Sequence, residues 1–146
     1  MRSILALDLG TTTGWALYHR GKIISGSKCF KPRSHEGAGM RYLRFRREFL
    51  NTFRSVNEVY FEQVRRHEGT DAAHVFGGLM ATLMGFCEEY TIPYKGIGVA
   101  AIKMHATGKG NANKAAMIKA MQDKGFKPAD DNEADALSLL DYVRSL

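Results

Sequence analysis

Ile4, Leu5, Ala6 and Leu7 run without a polar break into Asp8. A short, continuous apolar run of this kind is the mark of a strand covered on both faces, and it predicts one over residues 2–8. Gly10-Thr11-Thr12-Thr13-Gly14 reads as a tight turn. Trp15 to Tyr18 and Lys22 to Phe30 read as two further strands joined by a hairpin at His19-Arg20-Gly21. Pro32, Gly37 and Gly39 make 31–39 a loop. The period then becomes helical over about 40–55. Tyr42, Phe45, Phe49 and Phe53 share one face, and Arg41, Arg44, Arg47 and Arg54 lie off it. Val59 to Val64 is a fourth strand, ending near Glu62. The longest predicted helix spans 71–90. Its apolar residues, Val75, Phe76, Leu79, Met80, Leu83, Met84, Phe86 and Cys87, cover more than one stripe. That pattern predicts burial on two sides, the core on one and a second copy of the chain on the other. Gly77, Gly78 and Gly85 would let another backbone approach closely. Pro93 opens a fifth strand near Tyr94 to Ile97, a Gly/Asn-rich loop occupies 108–113, and helices follow at Lys114–Lys124 and Asp130–Tyr142. Three strands followed by alternating helices and strands predict an α/β domain over 1–146 with a mixed five-stranded sheet covered by helices.

With 146 residues, 45% hydrophobic and 25% charged, the chain has the composition of a globular protein and not of a disordered one. No apolar run reaches the ~18 residues of a membrane span, and the first residues lack the pattern of a secretory leader. Cys29 and Cys87 are too few and too far apart for a disulfide framework or a zinc cluster, so a reducing cytoplasm is expected.

Charge is distributed unevenly. The formal net charge is +6, which favours a polyanionic partner. Residues 31–66 hold nine bases and four acids, whereas 121–146 hold three bases and six acids. Asp8 ends a buried strand, where packing does not call for an acid. Glu62 lies in a second apolar strand, and adjacent strands would bring the two together if both side chains point to one face. Asp130-Asp131-Asn132-Glu133-Ala134-Asp135 opens the last helix. Asp130 fits an N-cap and Glu133 a capping box. Asp135, in the second turn, shares a face with Asp131 and Asn132. Carboxylates converging in this way repel one another unless a cation joins them. Oxygen ligands of this type select Mg²⁺ or Mn²⁺, and a pair of such ions suits phosphodiester hydrolysis. Arg33, Arg41, Arg44 and Arg47 fit either a row that tracks a phosphate backbone or a solvated helix face. Lys109, in a Gly/Asn loop, fits a phosphate contact.

In the order and spacing of several short motifs, the sequence resembles the RuvC-type Holliday-junction resolvases, in particular the short phage and prophage forms. The motifs are Leu5-Ala-Leu-Asp-Leu-Gly10 with Gly14-Trp15, Phe61-Glu-Gln-Val64, Lys103 and Lys114 about a Gly-rich loop, and Glu133-Ala-Asp-Ala-Leu137. The resemblance implies an RNase H-like fold whose first three strands are antiparallel, with helices on both faces of the sheet. It implies a homodimer acting on four-way DNA junctions in a bacterial or phage-infected cell. It further implies Mg²⁺-dependent nicking of paired strands, with Mn²⁺ as a substitute and two ions per site. Asp8, Glu62 and Asp135 match the family's acids, and Lys103 and Lys114 its lysines near the DNA. Two departures stand out. Asn132 occupies the position of the other helix ligand, with Asp131 one residue earlier, and of the two a carboxylate binds Mg²⁺ better. Arg65, followed by Arg66, stands where many members carry an aromatic wedge, which favours phosphate contacts over stacking.

Two other readings remain open at this level: an RNase H-like nuclease on RNA or RNA–DNA hybrids, of the YqgF type, and a junction-binding module without catalysis. The Asp8–Gly14 segment also resembles a phosphate loop of the sugar kinase, Hsp70 and actin group. Those proteins close two such domains on a nucleotide, and 146 residues make only one.

Overall fold

The computed structural model of the chain describes residues 2–146. Its strands are β1 (Ile4–Asp8), β2 (Thr12–His19), β3 (Lys22–Cys29), β4 (Glu58–Gln63) and β5 (Tyr94–Gly98). They form one sheet in the order β3-β2-β1-β4-β5. β1, β2 and β3 are antiparallel neighbours, while β4 runs parallel to β1 and β5 parallel to β4. This is the mixed sheet that the sequence predicts. β2 begins at Thr12, earlier than expected, because the threonines extend readily. The turn is confined to the residues before it, where the buried Thr13 hydroxyl donates to the Gly10 carbonyl (2.7 Å). The β2–β3 hairpin turns at Arg20 and Gly21, both with positive φ (51° and 79°). Such angles match the right-handed twist of the paired strands.

The helices are α1 (Gly39–Arg44), α2 (Thr70–Glu89), α3 (Val99–Thr107), α4 (Lys114–Asp123) and α5 (Asp131–Arg144). The predicted helix over 40–55 is a composite: α1 widens into a π turn at Phe45–Phe49 and tightens to a 3₁₀ turn at Leu50–Phe53. An aromatic cluster accompanies the change, with Phe45 and Phe49 stacked at 5.8 Å and Phe30 edge-on to both. α3 is absent from the sequence-based reading.

The period of two along each strand divides the core into two layers. Leu5, Leu7, Val59 and Phe61 face α1 and α2, where Phe45, Leu50, Phe76, Leu79 and Leu83 cover them. Ile4, Ala6, Ala16 and Ile97 face the other way and meet Ile102 of α3, Met117 and Met121 of α4, and Leu137 and Leu140 of α5. Helices therefore flank both faces. On α2 a single stripe (Phe76, Leu79, Leu83, Phe86, Cys87) is fully buried. Val75, Met80 and Met84 are partly covered, and Ala81 and Gly85 are exposed, so the expected two-sided burial does not occur within one chain. Gly78 admits the ring of Tyr42 rather than another backbone, because a Cβ there would overlap that ring. Among the described residues, no helix is long and apolar enough to cross a membrane.

Candidate metal centre

Strand register brings the first two acids together. Leu7 of β1 lies opposite Phe61 of β4, so the following pair along the parallel ladder is Asp8 and Glu62. Asp8 is in phase with Ile4 and Ala6, and Glu62 with Tyr60, all of which belong to the layer beneath α3, α4 and α5. The third acid comes from α5, whose first turn lies directly on β2. A Cβ at Gly14 would overlap the main-chain carbonyl of Asn132. Gly14 pairs with Asp8 across the β1–β2 ladder. The absent side chain thus lets α5 settle beside Asp8. As a result Asp8, Glu62 and Asp135 each offer a carboxylate oxygen within 4.8 Å of the others.

The start of α5 is fastened from three sides. Asp130 caps the helix, accepting from the Glu133 N–H (2.8 Å), and its other oxygen accepts from the Ser27 hydroxyl (2.7 Å). Glu133 is buried, accepting from the Ser25 hydroxyl (2.6 Å) and from the Ala129 N–H (2.9 Å). The predicted capping box therefore reaches back one residue further than its usual form. Ser25 and Ser27 are positioning residues that the sequence reading missed. Their signal was the alternation of Ile23, Ser25 and Ser27 on one strand face.

Burial and mutual repulsion shape the electrostatics. Burial raises the pKa of Asp8 well above the ordinary carboxylate range, and Glu62, Asp135 and Asp131 add to the effect. Glu62 is raised by burial, with the Lys103 ammonium acting against it. Asp135 is pushed up to about 7 by burial, then by Glu62 and Asp131, while Lys103 and Lys114 pull the other way. A cluster that holds protons in this way is one that a divalent cation would ionise and relieve. The donors are all carboxylate oxygens, which fits a hard cation of the Mg²⁺ or Mn²⁺ class.

Asp131 stands beside the trio rather than in it, with its carboxylate 3.5 Å from the Lys114 ammonium. Asn132 contributes the main chain that rests on Gly14. Lys103 reaches the acids from α3, the helix missed in the sequence. Its ends were marked by Gly98 and by Gly108, which adopts the left-handed C-cap conformation (φ 82°). Lys109 is exposed in the α3–α4 loop, where the Thr107 hydroxyl accepts its main-chain N–H (3.1 Å). Arg65 and Arg66 are exposed just past β4, and Arg33 is exposed in the β3–α1 loop. Arg44 departs from expectation. Its guanidinium forms a two-pronged pair with Glu36, and its side chain is only 16% exposed, so it fastens that loop instead of facing solvent as a free cation. His105 of α3 is paired with Asp141 of α5 at 3.0 Å.

No family model and no curated protein matches the chain by sequence. Solved structures do match it. A structure of Thermus thermophilus RuvC in complex with a Holliday junction substrate superposes with a TM-score of 0.75 at 22% identity, covering 94% of this chain and 90% of that one. A second Thermus thermophilus RuvC structure gives 0.71 at 21% identity, covering 98% and 96%. The order and direction of the strands, the helices on both faces and the near-complete coverage agree: the chain has the RNase H-like fold of these RuvC structures.

Proposed function

We propose that the chain is a structure-selective endodeoxyribonuclease that resolves four-way DNA junctions by hydrolysing paired phosphodiesters. The observation that carries this reading is the Asp8–Glu62–Asp135 trio, within 4.8 Å, on a scaffold that superposes over nearly its whole length on a RuvC bound to a junction. Asp8, Glu62 and Asp135 would hold Mg²⁺, or Mn²⁺ in its place, with Asp131 or Asn132 completing the set for two ions. Such ions supply Lewis acidity and an activated water at neutral pH. The chain's own part is to hold the acids in register and to surround them with positive charge. Lys103 and Lys114 reduce the charge that accumulates on a phosphate in the pocket, the kind of preorganised electrostatics that carries much of a rate enhancement. Lys109, Arg65, Arg66 and Arg33 lie exposed where a phosphate backbone can reach them. Paired cuts need two sites. The partly covered side of α2, with Val75, Met80, Met84 and the exposed Ala81 and Gly85, supports a homodimer through that helix. The working compartment in this reading is a bacterial cytoplasm, the chain's own or a phage host's.

The test is a substrate panel with Mg²⁺: a four-way junction, a Y-fork, plain duplex and an RNA–DNA hybrid. Symmetric paired nicks on the junction are expected. Preferential cutting of the hybrid would replace the proposal with an RNase H-type activity, and junction binding without nicks would leave a non-catalytic module.

A further inference from the structure

A second feature lies on the other side of the β1 end. A cavity of about 350 Å³ opens between the β1–β2 turn, α1 and the start of α2, lined in part by Gly10, Thr11, Arg41, His67, Asp71 and Phe76. Only two side-chain polar atoms among the described residues are buried without a hydrogen-bond partner, Nε of Arg41 and Nε2 of His67. Both residues line this one cavity. Leaving a buried donor unpaired costs about 1–3 kcal/mol, so two in one place call for a ligand. The His67 ring is held against Phe76, with centroids 4.9 Å apart, which fixes where Nε2 points. An arginine offers only donors, and an imidazole donates from Nε2 in one tautomer and when protonated. No side chain caps the adjoining first turn of α2. The one acid present, Asp71, is exposed and forms no ion pair with either residue.

We propose that this cavity is a phosphate subsite: it receives a backbone phosphodiester of the bound strand, next to the one at the acidic centre, and Arg41 and His67 are its ligands. The inference rests on the nuclease reading above. Leu9-Gly10-Thr11, which help line the cavity, continue directly from Asp8, so the cavity adjoins the acidic centre along the chain. The two unpartnered groups, Arg41 Nε and a protonated or Nε2–H His67, are donors, which suits a phosphate that accepts and does not donate.

The experiment is metal-free binding of a fluorescent four-way junction in EDTA, across a salt series, so that no cutting intervenes. Arg41→Gln should weaken binding by about 3- to 10-fold and reduce the slope of log K against log [salt] by about 0.9, the loss of one phosphate contact. Asp71→Asn should tighten binding by about 2- to 5-fold. Wild-type protein should also lose affinity for a junction with a neutral methylphosphonate at one position near the cut, and Arg41→Gln should be insensitive to that same replacement. An unchanged salt slope in Arg41→Gln overturns the subsite. So does weaker binding in Asp71→Asn, the sign expected if Asp71 accepts from a base. Competition by inorganic phosphate, with no methylphosphonate position sensitive, would mean a free-anion site and also overturns it. These results leave the proposed activity standing if wild-type still nicks junctions, whereas a chain that neither binds nor cuts DNA removes both.

Discussion

Asp135→Asn removes one of three carboxylates whose oxygens lie within 4.8 Å of one another, and the metal-free fold should become more stable for it. Burial and the neighbouring acids push Asp135 up to about 7, against an ordinary 3.8. Ionising it in the fold therefore costs about 4 kcal/mol more than in the unfolded chain. Between those two values the folded chain keeps a proton that the unfolded chain releases. The contribution of Asp135 to metal-free stability therefore falls as pH rises from about 4 to about 7, and levels off above. Solvent reaches part of Asp135, and Asn remains a polar group, so a gain of about 2–3 kcal/mol is expected at about pH 8. For a chain of this size that is about 5–10 °C in melting temperature. The assay is thermal unfolding in EDTA and in Mg²⁺ at about pH 8 and pH 5. In EDTA the variant should melt above wild type at pH 8, and the difference should shrink at pH 5. Mg²⁺ at about 100 times its dissociation constant should stabilise wild type by about 2.7 kcal/mol and the variant much less. A variant that melts no higher than wild type in EDTA at pH 8, and responds equally to Mg²⁺, would refute the electrostatic account of the cluster.

Asp8→Asn should lower cleavage by about 10³-fold or more while junction binding is retained, checked by parallel nicking and binding assays. Lys114→Ala should reduce turnover by about 10- to 100-fold and affinity far less, read by single-turnover kinetics against equilibrium binding; equal losses would make Lys114 a simple phosphate anchor. Gly14→Ala drives a methyl into the Asn132 carbonyl and should destabilise by about 1–3 kcal/mol, with a matching loss of activity; the shift in urea midpoint measures the first and nicking the second. Ser25→Ala leaves buried Glu133 short of a donor and should cost about 1–2 kcal/mol, read in the same urea titration.

Strand identity was legible because an apolar run ending in Asp8, and an alternating stretch around Glu62, leave few alternatives once the period is read. The N-cap at Asp130 was legible because capping is local chemistry, set by residues three apart. α3 was missed because its nine residues carry few large apolar side chains, and with it went the means by which Lys103 reaches the acids. The composite α1 segment was missed because a change from α to π winding follows from how Phe30, Phe45 and Phe49 pack, and no local preference announces it. Arg44 looked like its neighbours on the helix, and only the folded loop showed Glu36 waiting for it.

Composition and periodicity, then, determined the elements, the cationic character and the acids available for chemistry, since these depend on residues close in the chain. The distance between Asp8, Glu62 and Asp135 did not lie in the sequence. It was decided by a parallel register between β1 and β4, and by a glycine on β2 that lets a helix from the far end of the chain come to rest against the sheet. Both are long-range contacts, whose geometry exists only once the chain has closed on itself.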